Sequence, residues 1–222
     1  MIVRRGFQSV LYPPHAEMYC TSDSTATIDT QNSWLAGGGF TEGKNTGFTF
    51  ISAIKKAITE AADGGDGEVT FTAASHGLSE GDYVSITGST DYDDLYEIQS
   101  VTTDTFNVTA TWTQTRTGNV VRGSAYKMCS ACGGDFVIIG SISGSSATTN
   151  QTFEFAIAVN TTVQVDSYAT RKFANNDTGN TSHTAILTLS KDDVIYPVLR
   201  NTSGTGNYTL KKSNVNMFRV GE

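Results

Sequence analysis

The chain has 222 residues, a net charge of −7 and only 17% charged side chains. The acidic excess excludes an electropositive nucleic-acid groove, which works by counterion release; positive charge is scattered in pairs such as Arg4–Arg5, Lys55–Lys56 and Lys211–Lys212. No apolar run approaches the roughly 20 residues that span a bilayer, and a chain of this size buries roughly 70% of its unfolded surface without covalent staples.

The first 15 residues, MIVRRGFQSVLYPPH, lack the continuous apolar stretch of a secretion signal, so the chain is expected to fold where it is made. They read as an arm. Pro13–Pro14 fixes an extended connection, and Ile2, Val3, Phe7, Val10, Leu11 and Tyr12 supply apolar surface that a partner would bury. Beyond the arm, short β-rich runs follow one another: AEMYCTS, TATIDT, TGFTFISAI, EVTFTA, DYVSIT, YEIQSV, TFNVTATW, DFVIIGSIS, TFEFAIAV, TVQVDSYAT, TAILTLS, DVIYPVL, YTLKKS and VNMFRVG. Turn formers such as GGG, DGGDG, GSTDYDD, TRTG and KDD separate them. Many short strands punctuated in this way predict an all-β sandwich or barrel. One stretch, ISAIKKAITEAA, places Ile51, Ile54, Lys55 and Ile58 at helical spacing, but its flanks GFTFI and EVTFTA favour strands.

Chemistry-bearing residues are sparse. His76 in HGL reads as a strand-end residue bonding local backbone. Asp91, Asp93 and Asp94 lack the spacing of a calcium loop and read as turn formers. Cys129-Ser-Ala-Cys132 is a lone CxxC. Tetrahedral zinc needs four ligands, and neither Cys20 nor His183 offers a matching paired motif, so reduced thiols are expected. The three histidines are far apart, with no GxSxG, HExxH or phosphate-binding glycine loop near them. No catalytic residue, metal or cofactor is expected. Seven Asn-x-Ser/Thr triplets, at Asn107, Asn150, Asn160, Asn176, Asn180, Asn201 and Asn207, read as strand and turn residues rather than glycan acceptors.

The run Thr152–Val163 shows its pleat most clearly. Phe153, Phe155, Ile157 and Val159 share one face; Glu154, Ala156, Ala158 and Asn160 share the other. The large face is expected to fill a sandwich or trimer core, and the small face to admit a second surface, such as a neighbouring subunit.

Two family resemblances are carried by these residues. His76-Gly77-Leu78, Gly81-Asp82, Asp91–Tyr96 and Thr105-Phe106 resemble the small β-barrel modules inserted in many phage tail and virion proteins. Those modules are similar to the first catalytic cysteine half-domain of ubiquitin-activating enzymes. That half-domain does not supply the nucleophile, and this stretch has no cysteine, so the resemblance implies no catalysis. The flanking Glu17-Met18-Tyr19, Trp34, Gly-rich loop, Phe155-to-Asn160 strand and LSKDDVIYPVLRN hairpin resemble a C1q/tumour-necrosis-factor-like jelly roll, with Asp192 where the family's last hairpin usually has glycine. This resemblance implies trimers whose inner sheets pack about a threefold axis.

The expected architecture is therefore a jelly-roll β-sandwich with an inserted small β-barrel. Its expected parts are an arm over 1–15, the jelly roll over 16–56 and 122–222, and the barrel over 57–121. The expected function is a non-enzymatic phage virion protein, a trimeric capsid decoration or cement protein on the capsid surface, assembled in the host cytoplasm. Its expected partners are itself and the major capsid protein, with neither nucleic acid nor membrane. The arm would contact the capsid. The alternative is a tail-fibre, tail-tip or head-fibre protein binding a host-surface glycan, with Tyr83, Tyr92 and Tyr96 as the sugar-stacking patch. An enzyme acting on host surface polymers is a weaker third reading, since it needs paired carboxylates at catalytic separation.

Overall fold

The computed structural model describes residues 13–146, 148–174 and 177–221. The arm residues Ile2, Val3, Phe7, Val10, Leu11 and Tyr12 lie outside the described residues, as does Asn176. Among the described residues there is no helix. The chain opens with β1 (His15–Cys20), β2 (Ser24–Ala26), β3 (Leu35–Ala36), β4 (Thr41–Thr46) and β5 (Phe48–Ile51). A second group follows: β6 (Ile54–Ile58), β7 (Glu60–Gly65), β8 (Glu68–Thr72), β9 (Tyr83–Thr87), β10 (Leu95–Val101), β11 (Thr105–Thr109) and β12 (Gly118–Arg122). The chain ends with β13 (Ala125–Met128), β14 (Gly134–Ser146), β15 (Gln151–Val159), β16 (Thr162–Phe173), β17 (Thr178–Leu189), β18 (Val194–Asn201) and β19 (Tyr208–Arg219). The ambiguous stretch after Phe50 is strand rather than helix, the end of β5, all of β6 and the start of β7, with breaks at Ser52–Ala53 and Thr59.

The antiparallel partners are nested. β15 pairs with β16, β14 with β17, β13 with β18 and β1 with β19. One long hairpin whose two limbs pair from the tip to the ends, folded over on itself, is a jelly roll. Its first sheet runs β17-β14-β19-β1-β4 and its second β16-β15-β18-β13-β5; β2 extends the first beside β19, and β3 the second beside β18. Alternation does the sorting. In β1, Ala16, Met18 and Cys20 point inward, and in β14 so do Phe136, Ile138 and Ile142. Tyr126 of the second sheet reaches across the core, and its hydroxyl donates to the Glu17 carbonyl of the first at 2.6 Å. Burial pushes its pKa up to about 12.

Two glycines set the spacing within the first sheet. Gly140 lies opposite His183 in the β14–β17 ladder, and a methyl group on it would overlap the imidazole. Gly144 lies opposite Leu210 on β19, and a methyl group on it would overlap the ring of Tyr208 on the same strand. A large inward side chain on the neighbouring strand thus fills the place of each missing one. His183 is 5% exposed, and neither ring nitrogen has a hydrogen-bond partner among the described residues. Burial depresses its pKa to about 4.

The second group of strands forms its own sheet, in the order β6-β12-β9-β10-β11-β8-β7. Its two ends are one piece of chain: β6 pairs with β12, Thr59 marks the bend, and β7 pairs with β8. That continuous strand closes the sheet into a small barrel between β5 and β13. Phe71, Phe106 and Tyr92 fill it, with Phe71 and Phe106 stacked at 5.3 Å and Tyr92 edge-on to Phe71. The His76 Nδ1 accepts from the Leu78 amide, so the other nitrogen, Nε2, carries the proton and donates to the Thr105 carbonyl. The Leu78 bond is local, as expected, but His76 lies in the loop after β8 rather than at a strand end, and its second partner is 29 residues away. Asp93 accepts from the Gly88 and Ser89 amides, the Ser89 hydroxyl and the Thr30 hydroxyl, and is a turn anchor.

One expectation needs correction. Cys129 and Cys132 were expected as free thiols; they form a disulfide, with Cα atoms 5.1 Å apart across a turn that Cys129 ties to the Gly47 carbonyl. The separation of three residues at a tight turn brings the sulfurs within bonding reach, which sequence spacing does not reveal. Of the two roles expected for the large face of β15, it takes the sandwich core: Phe153, Phe155 and Ile157 are 0–2% exposed, with Val159 packed against the same cluster.

Candidate functional site: an apolar outer face and a cavity between the domains

The small face of β15 has an occupant within the chain. Ala156 and Ala158 are fully buried in a cluster with Tyr196 and Val198 of β18, and Leu95 of the barrel belongs to it, with Tyr83 packed alongside. The expectation of a neighbouring subunit there gives way to the inserted barrel. Alanines suit the position because they let a second β surface approach closely. Polar bonds fix the docking. The Ser85 hydroxyl of β9 accepts from the Ala36 amide at 3.1 Å, and the Thr87 hydroxyl donates to Asp29 at 3.0 Å.

The same geometry dissolves the tyrosine patch. Tyr92 is 1% exposed, and its hydroxyl donates to the Gln114 carbonyl while accepting from the Thr113 amide and hydroxyl and the Gln114 amide. Tyr83 packs against the jelly roll, and its pKa is raised, first by burial. Tyr96 packs on the barrel core, where burial pushes its pKa up to about 12. The three tyrosines serve the fold and its internal interface. Several sequon asparagines do likewise. The Asn160 carboxamide spans to Asp193 and the Val194 amide, Asn201 is fully buried with its amide on Gln151 and Gly206, and Asn207 accepts from Ile28.

The surface carries two features that strand patterns left unassigned. The first is the outer face of the first sheet. Ile186, Val137 and Phe218 lie side by side across β17, β14 and β19. Ile139 stands two residues along β14 on the same face. Ile186 is 65% exposed, Phe218 46% and Ile139 43%. The rest of this face is largely Ser, Thr and Asn, so the apolar row is confined to one end. Contiguous apolar surface of this kind marks interaction sites. The signal was present as outward apolar residues in alternating strands, but only the register places them in one row.

The second feature is a cavity of about 200 Å³ at the end of the sandwich nearest the barrel. Ile142 and Leu210 of the first sheet and Leu35, Phe155 and Leu199 of the second form its inner wall. Thr25, Gly39, Ala53 and Lys55, all exposed, ring its mouth. Lys55 is the one charged residue lining it and makes no ion pair among the described residues.

A smaller cluster lies across β16, β15 and β18 of the second sheet. Arg200 stacks over Trp34 at 4.4 Å, Trp34 meets Tyr168 edge-on at 5.4 Å, and Glu154 holds the Arg200 guanidinium at 2.6 Å. Tyr168 is 38% exposed.

No protein-family model matches the chain, and no curated protein matches its sequence. Among solved structures it is similar to Eiger TNF from S. frugiperda, at 10% identity and a TM-score of 0.35, over 76% of this chain and 94% of that one. It is also similar to a structure of infectious bursal disease virus Gt strain, at 6% identity and a TM-score of 0.30, over 94% and 58% of the two chains. A third is the insecticidal delta-endotoxin Cry8Ea1 from Bacillus thuringiensis, at 7% identity and a TM-score of 0.27, over 92% and 52%. Similarity of this size bears on neither fold nor function; the jelly roll rests on the nested strand pairs themselves.

Proposed function

We propose that the protein is a non-enzymatic structural protein of a phage particle, a homotrimer that decorates the capsid surface and strengthens it by multivalent attachment. The observation that carries this reading is the exposed row Ile186–Val137–Phe218 with Ile139. It lies on the outer face of a jelly-roll sheet, the kind of surface through which the resembled family packs about a threefold axis. Burying an exposed aliphatic or aromatic side chain contributes about 1.5–3 kcal/mol, so a few such residues per subunit support a stable assembly. Three capsid contacts held in one trimer then gain avidity without any new chemistry. The arm supplies the contact to the major capsid protein, and the barrel, docked on the other sheet, leaves the assembly face clear.

Light scattering coupled to size-exclusion chromatography tests the assembly. The wild type is expected at trimer mass at micromolar concentration, and Ile186→Lys with Phe218→Glu is expected at monomer mass with unchanged circular dichroism. A monomeric wild type sinks the proposal. Imaging of particles then locates the protein, with attachment lost when residues 1–12 are deleted.

A second reading, host-glycan binding by a tail or head fibre, is favoured by the Trp34–Tyr168–Arg200–Glu154 cluster, which joins an exposed aromatic to a charged pair. Glycan-array binding that is lost in Tyr168→Ala supports that reading.

A further inference from the structure

We propose that the cavity between the sandwich and the barrel is a binding site for a medium-chain aliphatic carboxylate, with the chain between the two sheets and the carboxylate at Lys55. This goes beyond any role in capsid attachment and does not depend on it. Three observations converge. The inner wall is hydrocarbon: Ile142, Phe155, Leu199 and Leu210 come from both sheets. The cavity of about 200 Å³ exceeds the roughly 150 Å³ void that holds a benzene ring when lined by similar residues. The mouth carries a single formal charge, the exposed Lys55, with no carboxylate of the protein among the lining residues. A neutral apolar ligand would leave that ammonium unused, and a cationic one would be repelled by it.

The shape follows from the insertion. Chain leaving β5 turns at Ser52–Ala53 into the first strand of the barrel, and that strand passes over the open end of the sandwich. The Gly37–Gly39 loop forms the opposite lip, where Gly39 has φ 82°, a conformation that side chains other than glycine rarely adopt. The jelly roll supplies the apolar interior and the insert supplies the cation. Neither alone makes the site.

The test uses the full chain with octanoate below its micelle concentration as probe and octanol as its neutral counterpart, read by isothermal titration and by thermal unfolding. Octanoate is expected to bind saturably and raise the melting temperature. Lys55→Gln, a change at an exposed position, is expected to weaken octanoate about two- to fivefold, the worth of a solvent-facing ion pair, and to leave octanol unchanged. Ala53→Trp, which plugs the mouth from outside the core, is expected to weaken both at least tenfold. Absence of saturable octanoate binding at millimolar concentration overturns the site. Unchanged octanoate affinity in Lys55→Gln overturns the carboxylate assignment, and unchanged affinity for both probes in Ala53→Trp overturns the location.

Discussion

Between pH 6.5 and 4, acid should destabilise this protein through His183. In the native state its imidazole lies inside the sandwich against Gly140, without a hydrogen-bond partner among the described residues, and burial lowers its pKa from 6.5 to about 4. Above pH 6.5 the ring is neutral in both folded and unfolded chains, so it contributes no pH dependence there. As pH falls from 6.5 towards 4 the unfolded chain binds a proton that the folded chain refuses, and stability is lost over that window. The loss reaches about 2.5 kcal/mol by pH 4.5 and about 3 kcal/mol by pH 4, levelling off at about 3.4 kcal/mol at lower pH. At this chain length each 1 kcal/mol corresponds to about 2–4 °C, so the melting temperature should fall by about 5–10 °C between pH 7 and 4.5. Urea unfolding at closely spaced pH values measures the slope directly. His183→Leu keeps an inward apolar side chain and removes the titration, so it should flatten the profile in this window. Asp91, whose carboxyl is held low by its hydrogen bond to Arg116, titrates at lower pH and does not confuse the reading. An equal slope in His183→Leu and wild type would refute the assignment.

Other substitutions test the packing. Tyr92→Phe leaves the Thr113 amide, the Thr113 hydroxyl and the Gln114 amide without their acceptor, and should cost about 1–3 kcal/mol in urea unfolding; a neutral result contradicts the hydrogen bonding described for the barrel. Gly144→Ala drives a methyl group into the Tyr208 ring and should cost about 1–3 kcal/mol, whereas the same change at Gly65, where nothing lies within 4 Å, should cost chiefly backbone strain from its φ of 74°. Replacing residues 53–123 with a short turn should leave a folded jelly roll, because Ile51 and Ala125 are already cross-strand partners. It should also uncover Ala156, Ala158 and Tyr196, giving increased binding of a hydrophobic dye; loss of cooperative unfolding would show that the barrel is part of one core.

Much of this molecule is determined locally. Alternation in runs such as TFEFAIAV and TAILTLS sets which side chains face inward, and turn chemistry sets where each strand stops. Asp192 shows the same logic at one residue: it sits at φ 65°, a conformation that Asp, Asn and glycine tolerate better than other residues. The all-β class, the inward face of Phe153, Phe155 and Ile157 and the turn role of Asp93 therefore follow from the sequence. What the period of two cannot fix is the identity of the surface each face meets. Ala156 and Ala158 read as an open small-residue face, and only the docking of the barrel covers them. Tyr92 reads as polar and aromatic in an acidic turn, yet it sits in a core because Gln114, 22 residues away, is brought to its hydroxyl. The row of Ile186, Val137 and Phe218 needs the register of three strands drawn from distant parts of the chain, and the cavity needs both sheets and the insert. Local geometry follows from each residue and its neighbours in sequence; interfaces and cavities come from contacts between distant segments, which only the tertiary fold decides.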